Sequence, residues 1–281
     1  MESDRYVIGV DIGGTSIKGA LFDGGTIIEE SRFPTKPDPL DALKRVISSL
    51  LANPKKATLI GIASAGDVEK DGRMIRCYNI PQIENRNLKT YVEDIFGIPS
   101  FVLNDARAAL IAELFASKIE GNTALLTFGT GIGCAVRVNG EIHQGGEYNF
   151  GHMILEPSGP VCGCGRKGCA ESLASATALL RQANEAYGYE MPFPKLVQLL
   201  SKGDEKAQAI FEQFGKRLIT IIDTIVSSID GIVILGGGMM EAHKRFERYY
   251  DSRKQFYRYA ILGNRAGVYG AMEYAKEMRR K

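Results

Sequence analysis

Short apolar runs that end in glycine recur along the chain and predict β-strands closed by tight turns. Tyr6 to Val10 is rich in β-branched residues and ends at Asp11-Ile12-Gly13-Gly14-Thr15, and Thr123 to Phe128 ends at Gly129-Thr130-Gly131. In both segments a second apolar stretch follows the glycines, as expected for a β-hairpin. The two patterns lie about 118 residues apart, which predicts an internal duplication and therefore two similar lobes.

Helical periods alternate with these strands. Asp41 to Leu51 repeats apolar residues at helical spacing, and Asp204 to Ile229 does so over a length typical of a long core helix. Asn104-Asp105 follows the apolar run Phe101 to Leu103 and would open another helix. Further strands are predicted at Leu59 to Ala63 and Ile232 to Leu235, and a terminal helix at Ala266 to Lys281. This alternation predicts an α/β fold with mixed sheets.

Composition and charge exclude several classes of protein. Apolar residues make up 44% of the 281-residue chain, and 35 Lys and Arg nearly balance 33 Asp and Glu, for a formal charge of +2. This composition does not indicate disorder, and it provides no broad basic face for nucleic acid. No stretch approaches about 18 apolar residues, and the chain begins without the features of a secretory signal. We therefore expect a cytoplasmic protein that contacts neither a membrane nor nucleic acid.

The first glycine turn carries residue types suited to a nucleotide. The paired glycines Gly13-Gly14 would let backbone N–H groups approach phosphates closely, and Thr15 adds a hydroxyl. The carboxylate of Asp11 could hold Mg²⁺ or its water shell. A plain hairpin turn is the alternative explanation of the same glycines. The phosphate interpretation gains weight because Gly129-Thr130-Gly131 repeats the design and Gly236-Gly237-Gly238 ends another strand.

The pair Asn104-Asp105 stands at a strand-to-helix junction, near the carboxyl end of a strand where open α/β sheets bind their ligands. A carboxylate at this place could accept the proton of a hydroxyl that attacks a γ-phosphate. Asn and Asp are also the usual N-caps of helices. The two roles are compatible, and the local sequence leaves both open.

The strongest motif combines one histidine with three clustered cysteines. Gly151-His152 is followed, after nine residues, by Cys162, Cys164 and Cys169. One imidazole and three thiolates form a common tetrahedral zinc site, and with four protein ligands the zinc would be structural. The alternative is a group of free thiols packed as small apolar side chains. Outside this motif we expect His143 and His243 to be surface residues. We expect Cys77 and Cys134 to be thiols of the core.

Four motifs together resemble those of the ROK family of bacterial sugar kinases and repressors. They are Asp-Ile-Gly-Gly-Thr at 11–15, Asn-Asp-Ala at 104–106, Gly-Thr-Gly-Ile-Gly at 129–133, and a His-Cys motif with the pattern Gly-His-x9-Cys-x-Cys-Gly-x-x-Gly-Cys-x-Glu at 151–171. The resemblance covers essentially the whole chain, and the His-Cys motif is very specific. The resemblance implies the actin-like, ribonuclease H-related ATPase fold, with two lobes of mixed sheets around a cleft. The lobes would comprise residues 1–117 joined by the helix 266–281, and residues 118–265 with the zinc site.

The resemblance also implies roles for individual residues. Asp105 would be the general base that takes the proton of a sugar 6-hydroxyl as it attacks the γ-phosphate of MgATP. Sugar contacts would come from Gly66, Asn104, His152 and Glu171, and zinc contacts from His152, Cys162, Cys164 and Cys169. Nucleotide contacts would come from Asp11, Gly13, Gly14, Thr15, Thr130, Gly131, Gly236, Gly237 and Gly238. The implied cofactors are ATP, Mg²⁺ and structural Zn²⁺, and the implied assembly is a homodimer.

One departure from the family pattern bears on the sugar. The family's glucokinases usually carry Glu two residues before the Gly-His pair, where it binds the hydroxyls at sugar carbons 1 and 2. This chain has Asn149 there, and an amide lacks the charge and can also donate. Two departures are milder. Ser16 stands in place of a common lysine, and Ala65 stands in place of the proline that usually precedes the glycine at the position of Gly66.

The expected activity is therefore phosphoryl transfer to the 6-hydroxyl of a hexose or N-acetylhexosamine, with glucose and N-acetylmannosamine as the leading substrates. A β-glucoside such as cellobiose is an alternative substrate. A non-catalytic sugar-sensing regulator is an alternative of another class. Repressors of the family carry a winged-helix segment before the first glycine turn. Because ten residues precede Asp11, DNA binding is not expected.

Overall fold

The computed structural model describes residues 5–77, 79–143 and 146–281. The chain forms two compact units. The first comprises Met1–Lys118 and Arg265–Lys281, and the second comprises Ile119–Asn264. No helix in the described ranges has both the length and the apolar character needed to cross a membrane.

The first unit is built on a five-stranded sheet. The strands of the whole unit are β1 (Tyr6–Ile12), β2 (Ser16–Asp23), β3 (Thr26–Pro34), β4 (Leu59–Ser64), β5 (Asp67–Val68), β6 (Met74–Arg76) and β7 (Ser100–Asn104). Its helices are α1 (Pro39–Leu51), α2 (Leu88–Phe96), α3 (Asp105–Ser117) and α8 (Ala266–Arg280). The sheet order is β3-β2-β1-β4-β7, with antiparallel pairing from β1 to β3 and parallel pairing of β1, β4 and β7. Strands β5 and β6 form a separate small ribbon.

The second unit repeats this plan. Its strands are β8 (Thr123–Phe128), β9 (Ile132–Val138), β10 (Glu141–His143), β11 (Ile232–Gly236) and β12 (Tyr257–Tyr259). Its helices are α4 (Ala170–Ala174), α5 (Ala176–Tyr187), α6 (Phe193–Ser201) and α7 (Glu205–Ile229). The sheet order is β10-β9-β8-β11-β12, again with an antiparallel meander followed by parallel strands. The duplication predicted from the glycine turns is therefore confirmed.

Local sequence explains where the helices begin. The Asp38 carboxylate caps α1 by accepting from the N–H groups of Leu40 and Asp41, and the Asp204 side chain caps α7. Such caps satisfy N–H groups that a helix leaves without partners in its first turn. The long α7 buries one apolar face in a core rich in phenylalanine, including Phe211, Phe214 and Phe246.

Some features differ from the sequence-based expectation. The ring of His243 stacks on Tyr259 with centroids 3.6 Å apart, and His143 lies 5.1 Å from Tyr148, so both histidines are half-buried rather than surface residues. Aromatic neighbours distant in sequence provide this cover, which periodicity does not reveal. The thiols of Cys77 and Cys134 are buried, as expected.

Candidate active site

The first glycine turn, residues 13–15, joins β1 to β2. Neither Gly13 nor Gly14 has a φ in the left-handed region, so backbone strain does not require glycine at these two positions. The N–H of Gly13 donates to the carbonyl of Ser16 at 3.2 Å. Thr15 is exposed. The absence of side chains at 13 and 14 instead leaves the backbone open to a ligand.

Asp11 is the penultimate residue of β1, beside this turn, and is half-buried. Its carboxylate lies against the first turn of α8, because a Cβ atom on Gly267 would be only 2.6 Å from Cγ of Asp11. Burial, together with the nearby charge of Asp105, raises the pKa of the Asp11 carboxyl to about 6, against a smaller opposing effect of Lys18. The free protein therefore disfavours the negative charge at this position.

Asn104 and Asp105 join β7 to α3. The Asn104 side-chain oxygen accepts from the N–H groups of Ala106 and Arg107 at 2.8 and 3.1 Å, and its amide donates to the carbonyl of Gly66 at 2.9 Å. The N-cap role is thus present, and the structure brings together Asn104 and Gly66. Burial raises the pKa of the Asp105 carboxyl above its ordinary value of 3.8, although backbone N–H groups and Asn104 oppose the shift.

The second glycine turn, residues 129–131, lies between β8 and β9 of the second unit. The Oε2 atom of Glu171 accepts from the N–H of Ile132 at 2.9 Å. A Cβ atom on Gly131 would lie 2.3 Å from this oxygen. Gly131 therefore makes room for a carboxylate that α4 contributes, and Thr130 at the tip of the turn is exposed.

The His-Cys motif forms a compact cluster in the same unit. Ligand atoms of His152, Cys162, Cys164 and Cys169 all lie within 4.8 Å of one another. The Sγ atoms of Cys164 and Cys169 are 3.6 Å apart, and Sγ of Cys162 is 3.5 Å from Nδ1 of His152. Two thiolates on one tetrahedral zinc ion, with bonds of about 2.3 Å, would be separated by about 3.8 Å. The donor atoms and their spacing therefore fit such an ion.

The three thiols of this cluster differ in acidity: burial raises the pKa of Cys162 to about 12 and also raises the pKa of Cys169, whereas the pKa of Cys164 is lowered. Burial raises the pKa of the Cys164 thiol, but backbone and side-chain hydrogen bonds from Arg166 outweigh it and lower that pKa to about 7. Arg166 also donates to the carbonyl of His152 at 3.0 Å. The Cys162 thiol lies 3.5 Å from Oε1 of Glu171, so the cluster and the second glycine turn share this carboxylate.

Asn149 and the glycine turn after β11 have simpler surroundings. Asn149 precedes the short 3₁₀ turn Phe150–His152, and its side chain makes no hydrogen bond within the described ranges. Gly237 follows β11 with a φ of 87°, and a Cβ atom there would lie 2.4 Å from the carbonyl oxygen of Phe128. Gly238 opens the 3₁₀ helix Gly238–Arg245 and has open space around it.

The sequence analysis missed residues that support the site. Thr35 contacts the first glycine turn through two hydrogen bonds, and Nε of Arg32 donates to the hydroxyl of Ser16 at 3.0 Å. Gly267 provides the space that Asp11 occupies. Gly267 could have been noticed from the sequence, because a glycine in the first turn of a predicted helix is unusual. No sequence pattern distinguishes Thr35.

Comparisons with known proteins identify the family of this chain. The profile of the ROK family matches residues 7–278. The chain is similar to a glucokinase of Thermotoga maritima, with 31% identity over 264 residues that cover 84% of this chain and 83% of that protein. It is also similar to an N-acetylmannosamine kinase of Vibrio vulnificus, with 30% identity over 250 residues and 84% of each chain covered.

Among solved structures, a ROK hexokinase from Thermus thermophilus superposes with a TM-score of 0.85. The two chains are 30% identical, and the match covers 98% of this chain and 99% of the hexokinase. The chain accordingly has the actin-like ATPase fold, with its mixed α/β sheets. With a family profile that matches nearly its whole length, the chain belongs to the ROK family.

Proposed function

We propose that this protein is an ATP-dependent sugar kinase that transfers the γ-phosphate of MgATP to the 6-hydroxyl of a hexose or N-acetylhexosamine. The observation that carries the proposal is the Asp105 carboxylate, fixed at the start of α3 beside the N-cap Asn104. Burial raises its pKa, which makes the carboxylate a better proton acceptor than an ordinary aspartate. The named relatives, a glucokinase and an N-acetylmannosamine kinase, support the same reaction class.

Phosphoryl transfer needs positioning, charge neutralisation and a base, and each has a candidate in this chain. The N–H of Gly14, which has no acceptor among the described residues, suits a phosphate oxygen. Asp11 fits a magnesium site, because a nearby cation would favour the charge that burial disfavours. When bound, Mg²⁺ would neutralise charge on the transferred phosphoryl group. Thr130, Gly131 and the turn at 236–238 are the proposed further nucleotide contacts.

The second unit would supply contacts to the sugar. With Nδ1 of His152 facing Cys162, the Nε2 atom is left for a sugar hydroxyl. A metal at Cys162 would remove the thiol proton that now faces Oε1 of Glu171, which leaves that oxygen to accept from a ligand. We propose zinc for this cluster, in a structural role that fixes the positions of His152 and Glu171.

Asn149 is the residue that we propose selects among the candidate sugars. Its amide has no intramolecular hydrogen bond among the described residues, so it is available to a substrate. The amide can donate to a substituent that a carboxylate would repel. N-acetylmannosamine and glucose are the leading candidates, and a β-glucoside such as cellobiose is the alternative within the same class.

The test is ADP release with MgATP across glucose, N-acetylmannosamine, N-acetylglucosamine, fructose and cellobiose. Wild-type protein should turn over at least one of these sugars. Asp105→Ala should lose several orders of magnitude in turnover while ATP still binds, and the matched control Asp94→Ala, which changes an exposed aspartate on α2, should behave as wild type. Silence on every sugar with ATP and zinc bound would contradict the kinase and favour a sugar-sensing regulator.

A further inference from the structure

Thr35 is a buried hydroxyl at the end of an otherwise half-exposed strand. It directly follows β3, and only 2% of its surface is exposed. A buried hydroxyl requires hydrogen-bond partners, and losing them costs free energy. The hydroxyl and the N–H of Thr35 find partners in the first glycine turn, 22 and 20 residues earlier in the chain.

The two hydrogen bonds hold opposite ends of the turn. The Thr35 hydroxyl donates to the carbonyl of Gly13 at 2.5 Å, and the Thr35 N–H donates to the carbonyl of Thr15 at 3.1 Å. The N–H of Gly13 closes the turn on the carbonyl of Ser16 at 3.2 Å. The carbonyl oxygens of Gly13 and Thr15 in the turn, and that of Ser16 next to it, are therefore occupied by donors of the protein itself.

Fixing a carbonyl also fixes the N–H of the next residue. In a trans peptide the C=O of one residue and the N–H of the next point in opposite directions. Because the Gly13 carbonyl is directed at Thr35, the N–H of Gly14 is directed away from Thr35. In the described part of the chain, neither the Gly14 nor the Thr15 N–H has a hydrogen-bond acceptor. These are donors that an anion could use.

We propose that Thr35 is a positioning residue for nucleotide binding, which holds the 13–14 peptide of the first glycine turn so that the N–H of Gly14 faces the phosphates of ATP. The inference rests on the proposed function, since it requires a nucleotide at this turn. It adds a residue that touches the turn and not the substrate. Without the hydroxyl, the Gly13 carbonyl loses this partner, and the N–H of Gly14 loses its fixed direction.

The test compares Thr35→Val, which keeps the shape and the N–H but removes the hydroxyl, with Thr35→Ser, which keeps the hydroxyl. Thr26→Val, at the exposed start of β3, is the matched control. Calorimetry should show MgATP binding about tenfold weaker in Thr35→Val, with sugar affinity unchanged. Thr35→Ser and Thr26→Val should remain within about twofold of wild type.

A general structural role would predict another pattern, with sugar and nucleotide affinities falling together and with no recovery in Thr35→Ser. That pattern, or wild-type MgATP affinity in Thr35→Val, would overturn the inference. If the valine variant does not fold, hydrogen exchange of the wild-type segment 13–16 decides the matter: MgATP should protect it, and lack of protection overturns the inference. Failure of wild-type protein to bind ATP at all would instead contradict the proposed function.

Discussion

Asp11→Asn should stabilise the free protein while removing its MgATP-dependent turnover. Burial and the charge of Asp105 raise the pKa of the Asp11 carboxyl from 3.8 to about 6. In the folded state this carboxyl therefore binds its proton more tightly than in the unfolded state. By linkage, the free energy of unfolding falls as the pH rises from about 4 through about 6.

The size of the effect follows from the pKa difference. At about 1.4 kcal/mol per pKa unit, the shift corresponds to a loss of about 3 kcal/mol above pH 7. Asparagine removes the charge but leaves a polar amide in the same half-buried position beside Gly267, at a cost of about 1 kcal/mol. The net expectation is that Asp11→Asn is about 2 kcal/mol more stable than wild type at pH 8, with the advantage gone below about pH 4.

Urea unfolding at pH 4, 6 and 8, followed by circular dichroism on nucleotide-free protein without added Mg²⁺, measures this difference. Asp23→Asn is a matched control in the adjacent strand. The Arg5 guanidinium holds the pKa of Asp23 below its ordinary value, so its loss should destabilise the protein at neutral pH. An Asp11→Asn variant that is no more stable than wild type at pH 8, or whose advantage persists at pH 4, would show that the charge of Asp11 does not destabilise the free protein.

Three further predictions concern the second unit. Gly131→Ala should displace the Glu171 carboxylate and weaken sugar binding about tenfold by calorimetry. Gly129→Ala should not, because Gly129 has open space around it. Equal effects of the two substitutions would contradict the close contact between Gly131 and Glu171. Asn149→Glu should raise kcat/KM for glucose relative to N-acetylmannosamine about tenfold, and an unchanged ratio would mean that this residue does not select the sugar. Protein purified without added metal should contain one zinc per chain by elemental analysis. Cys164→Ser should lose this zinc and Cys77→Ala should keep it. Zinc retained in Cys164→Ser would contradict zinc binding by the His-Cys cluster.

Much of the fold was predictable because its elements carry strong local signals. The β-branched run before Gly13 and its repeat before Gly131 predicted β1 and β8, and the apolar period up to Ile229 predicted α7. Strand β3 was not predicted. Its exposed and half-exposed residues alternate without a fully buried face, so hydrophobic periodicity gives little signal there.

The site was predictable in its residue types but not in its contacts. The spacing of the His-Cys motif indicated which side chains would converge, and the structure brings them together. The contact of Glu171 with the Ile132 N–H could not be derived, because it depends on how two segments 39 residues apart meet in space. The same applies to Thr35, whose role is defined by the Gly13 carbonyl that it reaches.

In the proposed reaction, Asp105 accepts the proton of a sugar hydroxyl during transfer from ATP. Single-turnover transfer from γ-labelled ATP, with the product analysed by phosphorus NMR, tests it most directly when wild type is compared with Asp105→Asn. Wild type should yield a sugar 6-phosphate, and Asp105→Asn should yield at most traces despite normal ATP binding. Transfer at near wild-type rates by Asp105→Asn, or no labelled sugar from wild type, would contradict it.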